Sequence, residues 1–211
     1  MSAETQPVEA LRQPPPGKLS YEEFLDWCDE DTLAEWVRGR VIMTSLASLR
    51  HQELLGFLLI ILHFWIRAHD LGEVLQLPFQ MRLPRPVNTG REPDLLFVAR
   101  AHLDRLRETY LDGPADLVVE ITSPESIGRD RGDKFVEYEQ AGIPEYWLLD
   151  QERRQAEFYQ LDEAGRYRLA FGGASGEYQS RALPRLRLRS EWLWQEPLPK
   201  LLDVLRELEL L

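Results

Sequence analysis

The sequence predicts an α/β fold, a mixed β-sheet with a parallel crossover and helices flanking it. Three observations lead there. Between residues 116 and 150 the chain reads strand, helix, strand: DLVVEIT, a helical stretch closed by Gly142, then EYWLLD. Such a unit is a parallel crossover, right-handed in nearly all proteins. Residues 47–69 carry Leu54, Leu55, Leu58, Leu62 and Trp65 at helical spacing, which predicts one long helix. Around it stand short apolar runs, EVLQL, FQMRL and REPDLLFVAR, punctuated by proline and glycine, which read as strands.

The elements follow in chain order. Residues 1–18 hold four prolines and few apolar groups, the composition of a disordered segment. Ser20 with Glu23 forms a capping box and predicts a short helix over 20–29. AEWVRGRVIM reads as a hairpin turning at Arg38-Gly39. The long helix over 47–69 stops before Gly72. After its strands and the loop PRPVNTG comes a short helix near 101–107, then the strand of the crossover and a helix over 129–141. A polar hairpin pairs 155–160 with 166–171, and PLPKLLDVLRELELL reads as an amphipathic helix. The expected organisation is a disordered segment over 1–18, one domain over 19–195 and a C-terminal amphipathic helix over 196–211, with no internal repeat.

Composition narrows the class. A chain of 211 residues suits one domain. No apolar run reaches the roughly 18 residues needed to span a bilayer, and the start shows no basic region followed by an apolar core, so neither a membrane nor a secretory signal is expected. Cys28 is the only cysteine. That excludes an internal disulfide and cysteine-pair zinc sites, and makes a cytoplasmic location the expectation. The net charge of −11 argues against a general nucleic-acid coat protein, which should be basic. It leaves room for an enzyme touching nucleic acid at one local patch.

The chemistry gathers on two strands. Alternation puts Val118, Glu120 and Thr122 on one face of DLVVEIT. A carboxylate inside a buried strand needs a metal, a proton or a cation as partner. Asp94 opens the strand of REPDLLFV, and Glu120 lies near the end of its own. If the two strands are antiparallel neighbours, the carboxylates converge. Two carboxylates about 4 Å apart repel by roughly 4 kcal/mol at an effective dielectric of ~20. Mg²⁺, which takes one or two carboxylates and keeps several waters, removes that repulsion. Lys134 follows Glu120 by 14 residues, on a stripe with Arg131 and Tyr138, placed to reach the end of the preceding strand.

EPD opening a strand, followed by VVEIT, resembles the PD-(D/E)XK nuclease superfamily. The run DLVVEITSPESIGRDRGDKFVEYEQAGIPEYWLLD closely resembles the Uma-type family of restriction-endonuclease-like proteins, and the likeness extends to AEWVRGRVI and SLRHQEL, over most of residues 20–195. It implies a restriction-endonuclease-like core and Mg²⁺- or Mn²⁺-dependent phosphodiester hydrolysis, with DNA as the partner. It further implies Asp94, Glu120 and the Ile121 carbonyl as metal ligands, Lys134 as the charge that positions water or stabilises the transition state, and Glu35 as the third acid. Tyr138 and Arg131 would support them. Two departures stand out. Thr122 occupies the superfamily's lysine position, its role passing to Lys134, and Arg40 stands where the hairpin usually has glutamate.

The alternative is a non-catalytic binding or scaffold protein on the same fold, homodimeric through its C-terminal helix. The charge and Thr122 favour it; the acidic trio with Lys134 argues against it. His51 reads as a helix-cap or surface residue rather than a ligand. Cys28 reads as buried and inert, and Arg185, Arg187 and Arg189 as a solvated strand face.

Overall fold

The structure, a computed structural model, describes residues 13–29, 32–43, 47–123 and 126–211. Most of the segment expected to be disordered therefore lies outside the described residues; its remainder, 13–18, forms neither helix nor strand. Helix α1 (Tyr21–Trp27) opens on the expected capping box, with Glu23 N–H donating to Ser20 Oγ and Ser20 N–H to Glu23 Oε2. The hairpin is β1 (Ala34–Val37) with β2 (Arg40–Met43), and Arg38 and Gly39 at its turn both have positive φ. Helix α2 (Leu49–Ala68) starts at Ser48, whose Oγ accepts from His51 N–H.

The chain continues through β3 (Gly72–Gln76), β4 (Gln80–Leu83), β5 (Thr89–Arg91) and β6 (Leu95–Ala99). A 3₁₀ turn, Arg100–Arg105, leads to β7 (Tyr110–Asp112) and β8 (Leu117–Thr122). The crossover contains α3 (Ile127–Arg131) and α4 (Asp133–Ala141), then β9 (Glu145–Asp150). Strands β10 (Gln155–Leu161) and β11 (Tyr167–Gly173) make the polar hairpin. Strands β12 (Glu177–Gln179) and β13 (Arg187–Arg189) pair with each other, and α5 (Leu201–Glu207) ends the chain.

One six-stranded mixed sheet, ordered β11-β10-β9-β8-β6-β3, carries the fold. Strand β8 is parallel to β9 and antiparallel to β6, as the crossover and the converging carboxylates require. Alternation sorts its two faces. Leu95, Phe97, Leu117, Val119 and Ile121 pack with α2, while Leu96, Val98, Val118 and Leu148 pack with Tyr138 of α4. A second sheet, β2-β1-β5-β4-β7, stands beside the first. The stretch REPDLLFVAR is divided between them: Arg91 ends β5 in the small sheet, and Leu95 begins β6 in the large one. Pro93, with no N–H to give a ladder, sits at that corner. It leaves Asp94 at the open end of β6.

The structure corrects three details of the sequence reading. The helix expected over 129–141 is broken at Gly132, where a Cβ would stand 2.6 Å from Gly128 O. The C-terminal helix is shorter than expected, and its Val204 joins the same core as α2. Helix α2 is long and apolar enough by composition to cross a membrane, contrary to the expectation that no segment is; half of that window is buried within the protein, and eight of its side chains lie in the core. Gly142 ends α4 at φ 78°, the left-handed cap that glycine adopts without strain.

Candidate active site

The corner at Pro93, the open end of β8 and the break at Gly132 surround one cleft of about 930 Å³. Glu35, His51, Glu92, Asp94, Glu120, Ile121, Asp130 and Lys134 are among its walls. Leu95 pairs with Val119 in the β6–β8 register, so the next step of the ladder sets Asp94 opposite Glu120. Asp94 Oδ2 accepts from Ile121 N–H at 2.6 Å, which fixes its carboxylate against the strand end. Its Oδ1 lies 3.1 Å from His51 Nε2.

Lys134 enters from the first turn of α4. Its ammonium is 2.9 Å from Glu120 Oε1, 3.1 Å from Glu35 Oε1 and 3.5 Å from Asp130 Oδ1. Tyr138, one turn further along α4, donates to the same Glu120 Oε1 at 2.7 Å. Glu35 is shared with a second cation. Arg91 Nη1 donates to Glu35 Oε2 at 2.8 Å, and its Nε donates to Glu137 Oε2 at 2.8 Å. A buried chain of charges, Glu137–Arg91–Glu35–Lys134–Glu120, thus runs from the small sheet to the large one.

The charges shift one another. Burial pushes Glu35 up, but Lys134 and Arg91 outweigh it and hold its carboxyl at about 2. Burial would lower Lys134; Glu120, Glu35 and Asp130 reverse that and keep it protonated. Burial raises Glu120, and Asp130, Asp94 and Glu35 add to the rise against Lys134. Burial likewise raises Asp130, and it pushes Glu92 up to about 7 although Gln80 donates to it at 2.7 Å. His51 is raised because Asp94 outweighs its burial.

Of the residues singled out in the sequence, Glu35, Asp94, Glu120, Ile121, Lys134 and Tyr138 meet here. Arg131 does not. It donates to Glu157 at 2.6 Å and faces Asp150 at 3.4 Å, because the break at Gly132 removes it from the stripe of Lys134 and Tyr138. His51 is buried against Asp94 rather than on the surface, a correction to its reading as a cap; the cap is Ser48. Arg91, Glu92, Asp130 and Glu137 were not foreseen. Their one local signal is that Arg91 and Glu92 directly precede Pro93-Asp94.

The donor set suits a hard divalent cation. Among the described residues no three His, Cys, Asp or Glu side chains stand close enough to cage a metal. Two carboxylates completed by waters is, however, the arrangement Mg²⁺ takes. Lys134 and Tyr138 both use Glu120 Oε1, leaving Oε2 engaged by neither. Asp130 Oδ1 is buried without a hydrogen-bond partner, with the Lys134 ammonium 3.5 Å away.

These shifts predict how stability responds to pH. A carboxyl with a raised folded-state pKa stabilises the fold below its unfolded pKa, and that stability is lost as pH rises through the folded value. For Glu92 the window runs from 4.5 to about 7; Glu120 and Asp130 act in the same sense. In chelator, the melting temperature should fall as pH rises from about 5 to about 8. Glu92→Gln should flatten part of that fall. Melting curves at several pH values check this, and parallel profiles for variant and wild type would remove Glu92 from it.

Comparison with known proteins agrees with this architecture. No curated protein matches the chain. A solved structure titled "Crystal structure of a putative nuclease belonging to DUF820 from Anabaena variabilis ATCC 29413" superposes with a TM-score of 0.71 at 13% identity, covering 83% of this chain and 97% of that one. At that identity the likeness establishes the fold, a restriction-endonuclease-like one. The profile of the Uma2 family, described as "Putative restriction endonuclease", matches residues 21–191, from the first turn of α1 past the end of β13. With the crossover, the EPD corner and the helix-borne lysine all inside that span, the chain belongs to the Uma2 family.

Proposed function

We propose that this protein is a metal-dependent phosphodiesterase acting on nucleic acid, DNA in the first instance, with Mg²⁺ or Mn²⁺ as cofactor. The observation that carries the reading is the Lys134 ammonium set between Glu120 and Glu35 beside Asp94. Asp94, Glu120 and the Ile121 carbonyl would hold the cation. Once bound, it supplies Lewis-acid polarisation of a phosphoryl oxygen.

The side chains supply the rest. An ammonium has three donors. Two of Lys134's serve Glu120 and Glu35, and the third faces Asp130 at 3.5 Å, beyond a good hydrogen bond. That third donor is the one free to orient an attacking water or meet charge developing on the phosphoryl group. Glu35 and Tyr138 hold the lysine and Glu120 in place. Thr122, where the superfamily lysine would stand, lines the cleft with a side chain that carries no charge, so Lys134 takes the role.

A non-catalytic scaffold is the second reading. It is favoured by Glu35 and Glu120 already being paired with cations. Calorimetric titration with Mn²⁺ separates the two, read beside nicking of a supercoiled plasmid. Wild type should bind weakly and cut, and Asp94→Asn should do neither. No heat and no metal-dependent rise in melting temperature at millimolar Mn²⁺ would leave the scaffold.

A further inference from the structure

Among the described residues, three permanent cations line the cleft: Arg50, Arg129 and Lys134. Two are already committed. Lys134 is held by its carboxylates. Arg50 pairs with Glu53 at 3.7 Å and donates to the carbonyls of Leu193 and Gln195. Arg129, on α3, has no carboxylate within ion-pair distance and no side-chain hydrogen bond among the described residues. Its Nε is buried without a partner although the side chain as a whole is only half-buried.

Arg40, Arg85 and Arg185 likewise show no side-chain partner among the described residues, but they are exposed and lie outside the cleft. With a net charge of −11, acceptors outnumber guanidinium groups, and Arg131, two residues on, takes both Glu157 and Asp150. An arginine left unpaired on the wall of an acidic cleft leaves its donors unused. Their planar fork fits a phosphate bidentately. Ser123, Ser126 and Gln151 line the same cleft and are the neutral donors that accompany phosphate contacts.

We propose that Arg129 binds a backbone phosphate of the polynucleotide, beside the one attacked at Lys134. This rests on the phosphodiesterase reading and adds what that reading lacks, a contact that holds substrate without touching the metal. It also accounts for how a chain this acidic engages a polyanion. The contact is a single local one, so binding is weak and its salt dependence shallow. Each phosphate neutralised contributes about −0.9 to the slope of log K against log salt on duplex DNA, and about −0.7 on a single strand.

The test is fluorescence anisotropy with a labelled duplex and the matching single strand, in Ca²⁺ and across a salt series. It compares wild type, Arg129→Gln and Arg129→Lys. Arg129→Gln should bind several-fold more weakly, with a slope shallower by about 1. Arg129→Lys should keep the slope and lose part of the affinity, since it keeps the charge without the fork. All three should share one melting temperature and one Mn²⁺ affinity. Equal affinity and equal slope for wild type and Arg129→Gln would overturn the assignment and leave the nuclease reading intact. No binding of either oligonucleotide by wild type would overturn both.

Discussion

Lys134→Ala is expected to slow phosphodiester cleavage by about 10²–10³, the usual effect of removing one donor aimed at developing charge. The same change should destabilise the fold. Lys134 is 5% exposed and lies within 3.5 Å of three carboxylates. Breaking a buried ion pair by deleting one partner typically costs about 3–5 kcal/mol, because it strands the other charge. Here Glu120 and Asp130 are stranded while Glu35 keeps Arg91, and the stranded carboxylates escape by taking up protons. The deficit should therefore be largest near pH 8 and shrink toward pH 5, since a raised carboxyl pKa lowers stability only where the unfolded chain is ionised. The rate must be compared where both proteins are folded, at low temperature and with melting curves alongside. Lys134→Arg should restore some stability and little rate, because a guanidinium fork does not place a compact charge at one point. Equal cleavage by wild type and a folded Lys134→Ala would take the lysine out of the reaction. Equal melting temperatures would take it out of the charge network.

The part of the site carried on adjacent strands was legible in the sequence. Alternation put Glu120 and Val118 on one face, and the convergence of Asp94 with Glu120 was conditional on their strands being antiparallel neighbours, as β6 and β8 are. Lys134 was legible because a crossover helix must pack over the strand it follows. What was hidden depends on distant pairing. Arg91 meets Glu35 because β5 pairs with β1, Gly90 opposite Trp36, across more than fifty residues of chain. No local pattern encodes that ladder, and PRPVNTG, read as a loop, held Thr89 and Gly90, the first two residues of β5. Arg131 was misplaced for a local reason. A glycine inside a helical pattern is tolerated often enough that Gly132 did not announce a break. His51 lies in the first turn of α2, where helical spacing alone does not say which neighbour covers it. Arg187 and Arg189 did read correctly as a solvated strand face, since both are exposed and pair with Glu177 and Glu207.

The second large effect belongs to Arg91, which sequence reading passed over. Its guanidinium is 1% exposed, with Glu35 on one side and Glu137 on the other, each at 2.8 Å. Such a residue should not be judged by the attraction it contributes. A buried ion triad is often no more stable than apolar groups of the same volume, and the penalty appears when one member is removed. Arg91→Ala leaves two buried carboxylates facing a void at the junction of β1, β5 and α4. A loss of about 3–5 kcal/mol is expected, a large share of the 5–15 kcal/mol typical of a domain. At roughly 2–4 °C per kcal/mol for a chain of this size, the melting temperature should drop by about 6–20 °C. Glu137→Gln should cost far less, because Arg91 keeps Glu35 and the new amide still accepts a hydrogen bond. Arg91→Met combined with Glu35→Gln and Glu137→Gln should recover much of the stability of Arg91→Ala while leaving Lys134 with one carboxylate fewer. That recovery separates stranded charge from lost packing. If the triple variant melts no higher than Arg91→Ala, the guanidinium acts as filler rather than as counterion. If Arg91→Ala itself melts with wild type, the small sheet does not depend on the charge chain that ties it to Lys134.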